Sequence, residues 1–435
     1  MDMVFRLIAK ERKRLREQLQ LIPSENYASS AVMRAVGSVL MNKYSEGQVG
    51  KRYYQGNVNI DDVERLCKER ALKLFALDGD KWGVNVQGLS GSPANLAVYV
   101  ALLEPGERIM SMFLPEGGHL SHGWHMPHKK VSFVSKIWDV EFYHVDRKTR
   151  VFDYDQIERQ ALRFKPKLLI SGGTAYPREI DHKRMGQITR KVGAYYLADI
   201  AHEAGLVAAG VNSSPFPHAD VVMMTTHKTL RGPRGAIIIS RKKLAQKIDS
   251  AVFPGLQGGP HNHTIAGIAV CLAEAQRASF RHYAKQVVVN AQVLASELAA
   301  AGFDLVSGGT DKHLLLVDLR TIGISGWVAA WALEYANIIV NRNTVPQETA
   351  SPYYPSGLRM GTPAITTRGM KEREMRRIAG WIVAVIEHSR KWVLPEGKQQ
   401  RRLFAQRFHK RLAIDGTLDL IAKEVKRFAR RFPIP

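Results

Sequence analysis

Ala219-Asp220-Val221-Val222-Met223-Met224-Thr225-Thr226-His227-Lys228-Thr229-Leu230-Arg231-Gly232-Pro233-Arg234 is the stretch whose reading decides the fold. Its first part, Ala219 to Met224, is a mostly apolar run that reads as a buried strand. Its second part is a polar turn containing glycine and proline. Lys228 emerges where the strand ends, which is where an open α/β sheet keeps its reactive groups.

A lysine acts as a nucleophile only as the neutral amine, and the neighbouring cations Arg231 and Arg234 favour that form by like-charge repulsion. Its natural use is a Schiff base. A surface lysine in a basic loop would read the same way, so the company of the motif decides. Upstream, Ala194-Tyr195-Tyr196-Leu197-Ala198-Asp199 is another strand ending in an acid, followed by Ile200-Ala201-His202-Glu203-Ala204-Gly205. A pyridoxal phosphate site needs a carboxylate against the pyridinium nitrogen, because a protonated ring is an electron sink. Asp199 meets that need, although alone it would serve equally as a helix cap. Further upstream, in Asn85-Val86-Gln87-Gly88-Leu89-Ser90-Gly91-Ser92-Pro93-Ala94-Asn95, a strand meets a Ser-Gly-Ser turn and then a helix, Ala94 to Leu103. Hydroxyls and free N–H groups at a helix start make an anion site suited to a cofactor's phosphate.

The three elements and their flanks resemble the serine hydroxymethyltransferase family, pyridoxal-phosphate enzymes of the aspartate-aminotransferase fold type. The segments that carry the resemblance are LIPSENY (21–27), NKYSEG (42–47), GKRYYQG (50–56), GGHLSHG (117–123), LADIAHEAGLVAAG (197–210), TTHKTLRGPRG (225–235), VFPGLQGGPHNH (252–263) and LRMGTPAITTRG (358–369). The fold this implies is α/β, the pyridoxal-phosphate-dependent transferase fold of type I. It has a large domain with a mostly parallel seven-stranded sheet and a smaller α+β C-terminal domain. Strands at Lys167–Ser171, Tyr195–Ala198 and Val221–Thr225 alternating with helices agree with a parallel sheet. The chain divides into an N-terminal arm (1–50), a large domain (51–269) and a small domain (270–435), with the boundary near a helix at Ile265–Ala278. A strand is expected at Lys312–Leu319, amphipathic helices at Met370–Arg390 and Thr417–Arg431, and a long basic loop at 394–414.

Residue by residue, the resemblance implies that Lys228 holds the cofactor as an internal aldimine, with Asp199 on the ring nitrogen and His119 on the ring face. Thr174 and His202 would hydrogen-bond the phenolic oxygen, and Thr225 joins the catalytic group. Ser90, Gly91, Ser92 and His227 would hold the phosphate, with Tyr44 and Gly259 reaching it from a second subunit. Arg359 would fork onto the substrate carboxylate, as guanidinium geometry suits, with Ser24 assisting. Glu46 would be the acid/base group beside the substrate hydroxyl, with Tyr54 adding a hydrogen bond from the neighbouring subunit. Leu114, Gly118, Leu120, Phe253 and Asn343 would bind folate.

The activity implied is reversible conversion of L-serine and tetrahydrofolate to glycine and 5,10-methylenetetrahydrofolate, through an external aldimine and Cα–Cβ cleavage, in a homodimer with shared sites or a tetramer of two such dimers. Gly88-Leu89 before the Ser-Gly-Ser, Pro115-Glu116 inside the LxxGGH loop and Pro177-Arg178 depart from the family pattern. Because the 114–118 loop borders the folate site, two alternatives stay open: a folate-independent threonine-type aldolase and an α-methylserine hydroxymethyltransferase.

At 435 residues and 45% hydrophobic, the chain can bury a large core. No apolar run approaches the ~20 residues of a membrane helix, and the N-terminus lacks a signal h-region, so a cytoplasmic protein is expected. Two cysteines, Cys67 and Cys271, provide neither a disulfide framework nor a zinc cluster and read as core residues. His119, His122 and His125 come at i, i+3 and i+6, but no Cys or carboxylate cluster accompanies them and no metal is expected. The net charge of +23 gathers in Lys10 to Arg16 and from Arg390 to Arg431. It admits an anionic partner, including a nucleic-acid-binding relative. The missing aromatic interleaving and module signatures argue against nucleic acid.

Overall fold

The computed structural model describes residues 2–435. Seven strands form the principal sheet: β1 (Trp82–Asn85), β2 (Arg108–Met112), β3 (Asp139–Tyr143), β4 (Leu168–Ser171), β5 (Tyr195–Asp199), β6 (Val221–Thr225) and β7 (Ala236–Arg241). Their spatial order is β1-β7-β6-β5-β4-β2-β3. Pairs from β6 across to β3 are parallel, and β7 alone runs against both of its partners. This is the mostly parallel seven-stranded sheet of the expected fold class.

Every residue of β4 and β6 is buried. Strands covered on both faces read as continuous apolar runs rather than as alternation, which is why Val221–Thr225 is legible without a period of two. β3 is an edge strand, and side chains blunt it. His125 Nε2 lies 3.0 Å from the Val140 carbonyl and Gln160 Nε2 donates to the Phe142 carbonyl at 2.9 Å. Because β2, β4, β5 and β6 are parallel, their carboxyl ends share one edge of the sheet. The loop after Met112, the turn after Ser171, Asp199 and the Lys228 turn therefore leave the sheet together.

The chain forms two compact units, one of Ala28–Lys285 and the other of the residues through Tyr27 together with Gln286–Pro435. These bounds differ from the expected arm at 1–50 and boundary at 269. Strand Leu19–Gln20 pairs in parallel with Ile338–Ile339, and Gly361 N donates to Leu21 O at 2.7 Å, so the first residues belong with the C-terminal part. Residues 28–50 stay with the sheet unit through Ser29 Oγ on Glu274 (2.7 Å) and Asn262 Nδ2 on the Lys43 carbonyl (2.6 Å). The helix expected at Ile265–Ala278 runs Asn262–Ala275, and Ala278–Ala300 follows it.

The second unit holds an antiparallel sheet of β8 (Asp304–Leu305), β9 (Leu314–Asp318), β10 (Asn341–Asn343) and β11 (Gly357–Gly361), in the order β8-β9-β11-β10. Helices Glu372–Ser389 and Gly416–Ala429 match the expected ones within about two residues at each end. The expected loop at 394–414 is instead largely the helix Lys398–Leu412. Phe404, Phe408 and Leu412, at i, i+4 and i+8, face the core, and the Phe404 and Phe408 rings stack at 5.5 Å. The charges of Arg401, Arg402, Arg407, Lys410 and Arg411 mask that stripe in the sequence. Cys67 and Cys271 are buried. Among the described residues no helix is long and apolar enough to cross a membrane.

Candidate active site

The turn after β6 is closed by its own backbone. Gly232 N donates to Thr226 O at 2.7 Å and Thr226 Oγ1 donates to Pro233 O at 2.6 Å, so Lys228 sits on a fixed arch with its side chain buried. Gly232 is required there, since a Cβ would lie 2.8 Å from both Cys271 Sγ and Thr226 O. The Arg231 guanidinium lies over the rings of Tyr283 (4.2 Å) and Phe280 (5.3 Å). Burial first, then the charges of Lys228 and Arg234, pulls the pKa of His227 down to about 3. His227 is therefore neutral at physiological pH, and its buried Nδ1 has no hydrogen-bond partner among the described residues.

Asp199 ends β5, where it pairs in register with Met223 of β6. Its Oδ2 accepts from His122 Nε2 and Asn95 Nδ2, both at 2.9 Å, and its Oδ1 accepts from Ala201 N at 2.9 Å. Burial alone would raise its pKa. The His122 hydrogen bond, the charges of His122 and His119 and the Asn95 amide outweigh it and hold the carboxyl well below the ordinary range. His119 extends this network, since its Nδ1 lies 2.7 Å from Ser121 Oγ, which in turn accepts from Asn95 at 3.0 Å. The sequence reading missed His122 and Asn95 as partners of Asp199. The available signals were the i, i+3 spacing of His122 from His119 and an Asn one turn into the helix after Ser-Gly-Ser.

That helix spans Gly91–Leu102, with Ser90 as its N-cap and no side-chain capping bond from the Ser90 hydroxyl. A Cβ on Gly91 would lie 2.8 Å from Thr225 Cγ2, so glycine lets the helix start approach the end of β6. Thr225 Oγ1 donates to Ala201 O at 3.1 Å, and the His202 carbonyl accepts from Thr229 Oγ1 at 2.9 Å. Thr174 Oγ1 donates to Gly118 O at 2.9 Å, which ties the turn after β4 to the loop holding Leu114, Gly118, His119 and Leu120. Ser90, Gly91, Ser92, Thr174, Asp199, Thr225 and Lys228 are thus all carried at one edge of the sheet.

A further group in the same unit joins Tyr44, Glu46, Tyr54, Gly258 and Gly259. The Tyr44 and Tyr54 rings meet edge-on at 5.4 Å. The position of a Gly259 Cβ is 3.1 Å from the Tyr44 ring, and that of a Gly258 Cβ is 3.3 Å from Glu46 Oε1. Phe253 packs its ring 5.6 Å from Tyr53. Tyr44, Tyr53 and Tyr54 are exposed. Ser24, Arg359 and Asn343 belong to the other unit. There Arg359 Nε donates to Asn341 Oδ1 at 3.1 Å, and burial lowers the guanidinium to a pKa of about 10. Asn341, which pairs in register with Arg359, was also missed. Asn343 shares the face of Asn341, and its Nδ2 donates to Thr344 O at 2.7 Å.

Residues 2–382 match the serine hydroxymethyltransferase family. The chain is 50% identical to the serine hydroxymethyltransferase of Acidothermus cellulolyticus over 429 residues, covering 99% of this chain and 94% of that protein. It is 47% identical to that of Caenorhabditis briggsae over 451 residues (99% and 87%). It is 48% identical to serine hydroxymethyltransferase 3, chloroplastic, of Arabidopsis thaliana over 442 residues (99% and 82%). The chain belongs to the serine hydroxymethyltransferase family.

Serine hydroxymethyltransferases as a family imply pyridoxal phosphate and tetrahydrofolate, and the residues here fit the first. The helix start at Gly91 and Ser92 supplies backbone N–H donors for a phosphate. His227 Nδ1 is a buried polar atom awaiting a partner. Asp199 is an ionised carboxylate in a buried position, as a pyridinium nitrogen requires.

Proposed function

We infer that this chain catalyses the reversible conversion of L-serine and tetrahydrofolate to glycine and 5,10-methylenetetrahydrofolate, with pyridoxal phosphate as its resident cofactor. The observation that carries the reading is the buried, ionised Asp199 at the end of β5, beside the strand that delivers Lys228, in a member of this family. Bound pyridoxal phosphate supplies an electron sink for the pair released when the Cα–Cβ bond of serine breaks.

Lys228 would hold the cofactor through its amine, and Asp199 would keep the ring nitrogen protonated. Ser90, Gly91, Ser92 and His227 would hold the phosphate, joined by Tyr44 and Gly259 of a second copy. His119 would pack against the cofactor ring, and Thr174 and His202 would hydrogen-bond its phenolic oxygen. Thr225 fixes the floor between the Gly91 helix and the end of β5. Arg359 forks onto the substrate carboxylate with Ser24 beside it, and Asn341 on its Nε sets the plane of the fork. Glu46 moves the proton at the substrate hydroxyl, and Tyr54 adds a hydrogen bond. Leu114, Gly118, Leu120, Phe253 and Asn343 hold the folate.

A homodimer with shared sites and a cytoplasmic location complete the proposal. Compartment varies among relatives, whose names include mitochondrial and chloroplastic forms. The test is to load the purified protein with pyridoxal phosphate and follow conversion of serine to glycine with and without tetrahydrofolate. Conversion that requires the folate, with a new long-wavelength absorbance when glycine and folate are added together, is the expected result. Cleavage of 3-hydroxy amino acids with no response to folate would sink it.

A further inference from the structure

The loop Leu114–Gly118 leaves β2 as a tight turn, with Glu116 N and Gly118 N donating to Phe113 O at 3.2 and 3.1 Å and Gly117 N to Leu114 O at 3.0 Å. On one side the loop is tied to the turn after β4: Thr174 N reaches Gly117 O at 2.7 Å, and Thr174 Oγ1 reaches Gly118 O. On the other side it meets the end of β3, where Phe113 N donates to Tyr143 O at 3.0 Å. Beyond that contact and the packing of the Phe113 ring on Phe142 and His144, the middle of the loop is tied to the β3 end by the Glu116 side chain. Glu116 Oε2 accepts from Val145 N at 3.0 Å, and its Oε1 lies 3.1 Å from His144 Nδ1. The carboxylate is mostly buried, with 10% of its side chain exposed, while the His144 ring is 48% exposed and packs 4.8 Å from Phe113.

Glu116 is thus a clasp between the ends of two parallel strands. The loop it holds carries Leu114 and Gly118, the residues proposed to hold folate.

We propose that Glu116 is a positioning residue for the one-carbon acceptor: by gripping Val145 N–H and His144 it fixes the Leu114–Gly118 loop against which the folate is held. The proposal rests on the folate-dependent reading of the site. Glu116 touches none of the groups proposed to hold pyridoxal phosphate or the amino acid, and Thr174 keeps its own bonds to Gly117 O and Gly118 O without it, so the effect of its loss is expected at the folate. Without the carboxylate the loop keeps its Thr174 side and the Phe113 contacts at its start, and loses the tie of its middle to His144 and Val145. The acceptor then binds a loop that it must order, and affinity falls.

The test compares wild type, Glu116→Ala and Glu116→Gln as cofactor-loaded enzymes. Three quantities are read: the Kd of tetrahydrofolate by calorimetry in the presence of glycine, the KM for serine and for tetrahydrofolate, and the rate of folate-independent cleavage of a 3-hydroxy amino acid. Glu116→Ala is expected to raise both folate constants about tenfold, on the scale of a lost charge-assisted hydrogen bond. Cofactor absorbance, serine KM and folate-independent cleavage should stay within about twofold of wild type. Glu116→Gln keeps an acceptor for Val145 N–H and should recover part of the loss. Folate constants unchanged in Glu116→Ala, or folate-independent cleavage falling in parallel, would overturn the proposal. A wild-type protein that takes up pyridoxal phosphate and cleaves 3-hydroxy amino acids but never binds folate would overturn the reading beneath it as well.

Discussion

At Asp199 burial pulls the carboxyl up, and the His122 hydrogen bond, the charges of His122 and His119 and the Asn95 amide pull it down and decide the outcome. Replacing the carboxylate by an amide keeps the shape and removes the charge. Asp199→Asn should fold and take up cofactor, yet lose about a hundredfold or more in turnover, the scale of losing a charge aimed at a reacting centre. Steady-state kinetics on the loaded variant checks this, and wild-type turnover would mean that another group holds the ring. His227 makes a second, pH-dependent prediction. Its folded pKa, about 3, lies below the ~6.5 of an unfolded histidine. The unfolded chain therefore binds a proton that the folded chain does not. The associated stability is fully present above about pH 6.5 and is lost as pH falls towards 3, by up to about 1.4 kcal/mol per pH unit. Denaturant melts of cofactor-free protein between pH 7 and 4 should show a shallower loss for His227→Asn than for wild type. Parallel curves would assign the acid sensitivity elsewhere.

At the scale of elements, Arg368 joins parts of the chain that no local pattern connects. Its guanidinium donates to the carbonyls of Leu15, Arg16 and Gln18 at the end of helix Met3–Glu17, and to those of Ala429 and Phe432 at the end of helix Gly416–Ala429. One cation thus satisfies the orphan carbonyls of two helix C-termini, where positive charge is also favoured by the dipoles. Arg368→Ala would remove the donor these part-buried carbonyls share and should cost about 3 kcal/mol or more, read as a lower urea midpoint. Arg368→Lys should recover little, because an ammonium has three donors and no planar fork. A midpoint shift below the equivalent of about 1 kcal/mol would show that water replaces the clasp. What the sequence disclosed follows the same division. Val221–Thr225, Tyr195–Asp199 and the Ser90 turn were legible because burial on both faces and turn chemistry are local signals, and with them came the positions of Lys228, Asp199 and the Gly91 helix start. The pairing of Leu19–Gln20 with Ile338–Ile339 was not, because two residues carry no period and their partner is distant in the chain. Helix Lys398–Leu412 was hidden because its apolar stripe is interrupted by arginines. Asn95, His122 and Asn341 escaped because each works on another side chain, a relation fixed only when strands and helices meet.

For the whole molecule, exposure bears on assembly. Tyr44, Tyr53 and Tyr54 are 54%, 71% and 46% exposed beside Glu46, and on helix Met3–Glu17 the side chains of Met3, Val4, Phe5, Leu7 and Ile8 are each more than half exposed. Each of these two groups of exposed apolar side chains is a candidate for contact with another chain. Tyr44 and Gly259 lie together in one chain, so a second copy would deliver both to the same phosphate. If each site takes Lys228 from one chain and Tyr54 from the other, the protein should be at least a dimer by light scattering. Lys228→Ala should be inactive and Tyr54→Phe impaired. In a hybrid of the two, one site loses both groups and the other keeps both. Random remixing makes half of the dimers hybrids, so equal amounts should recover about a quarter of wild-type activity. No recovery after verified subunit exchange would place Lys228 and Tyr54 in the same chain's site, and a fully active monomer would remove the shared site altogether.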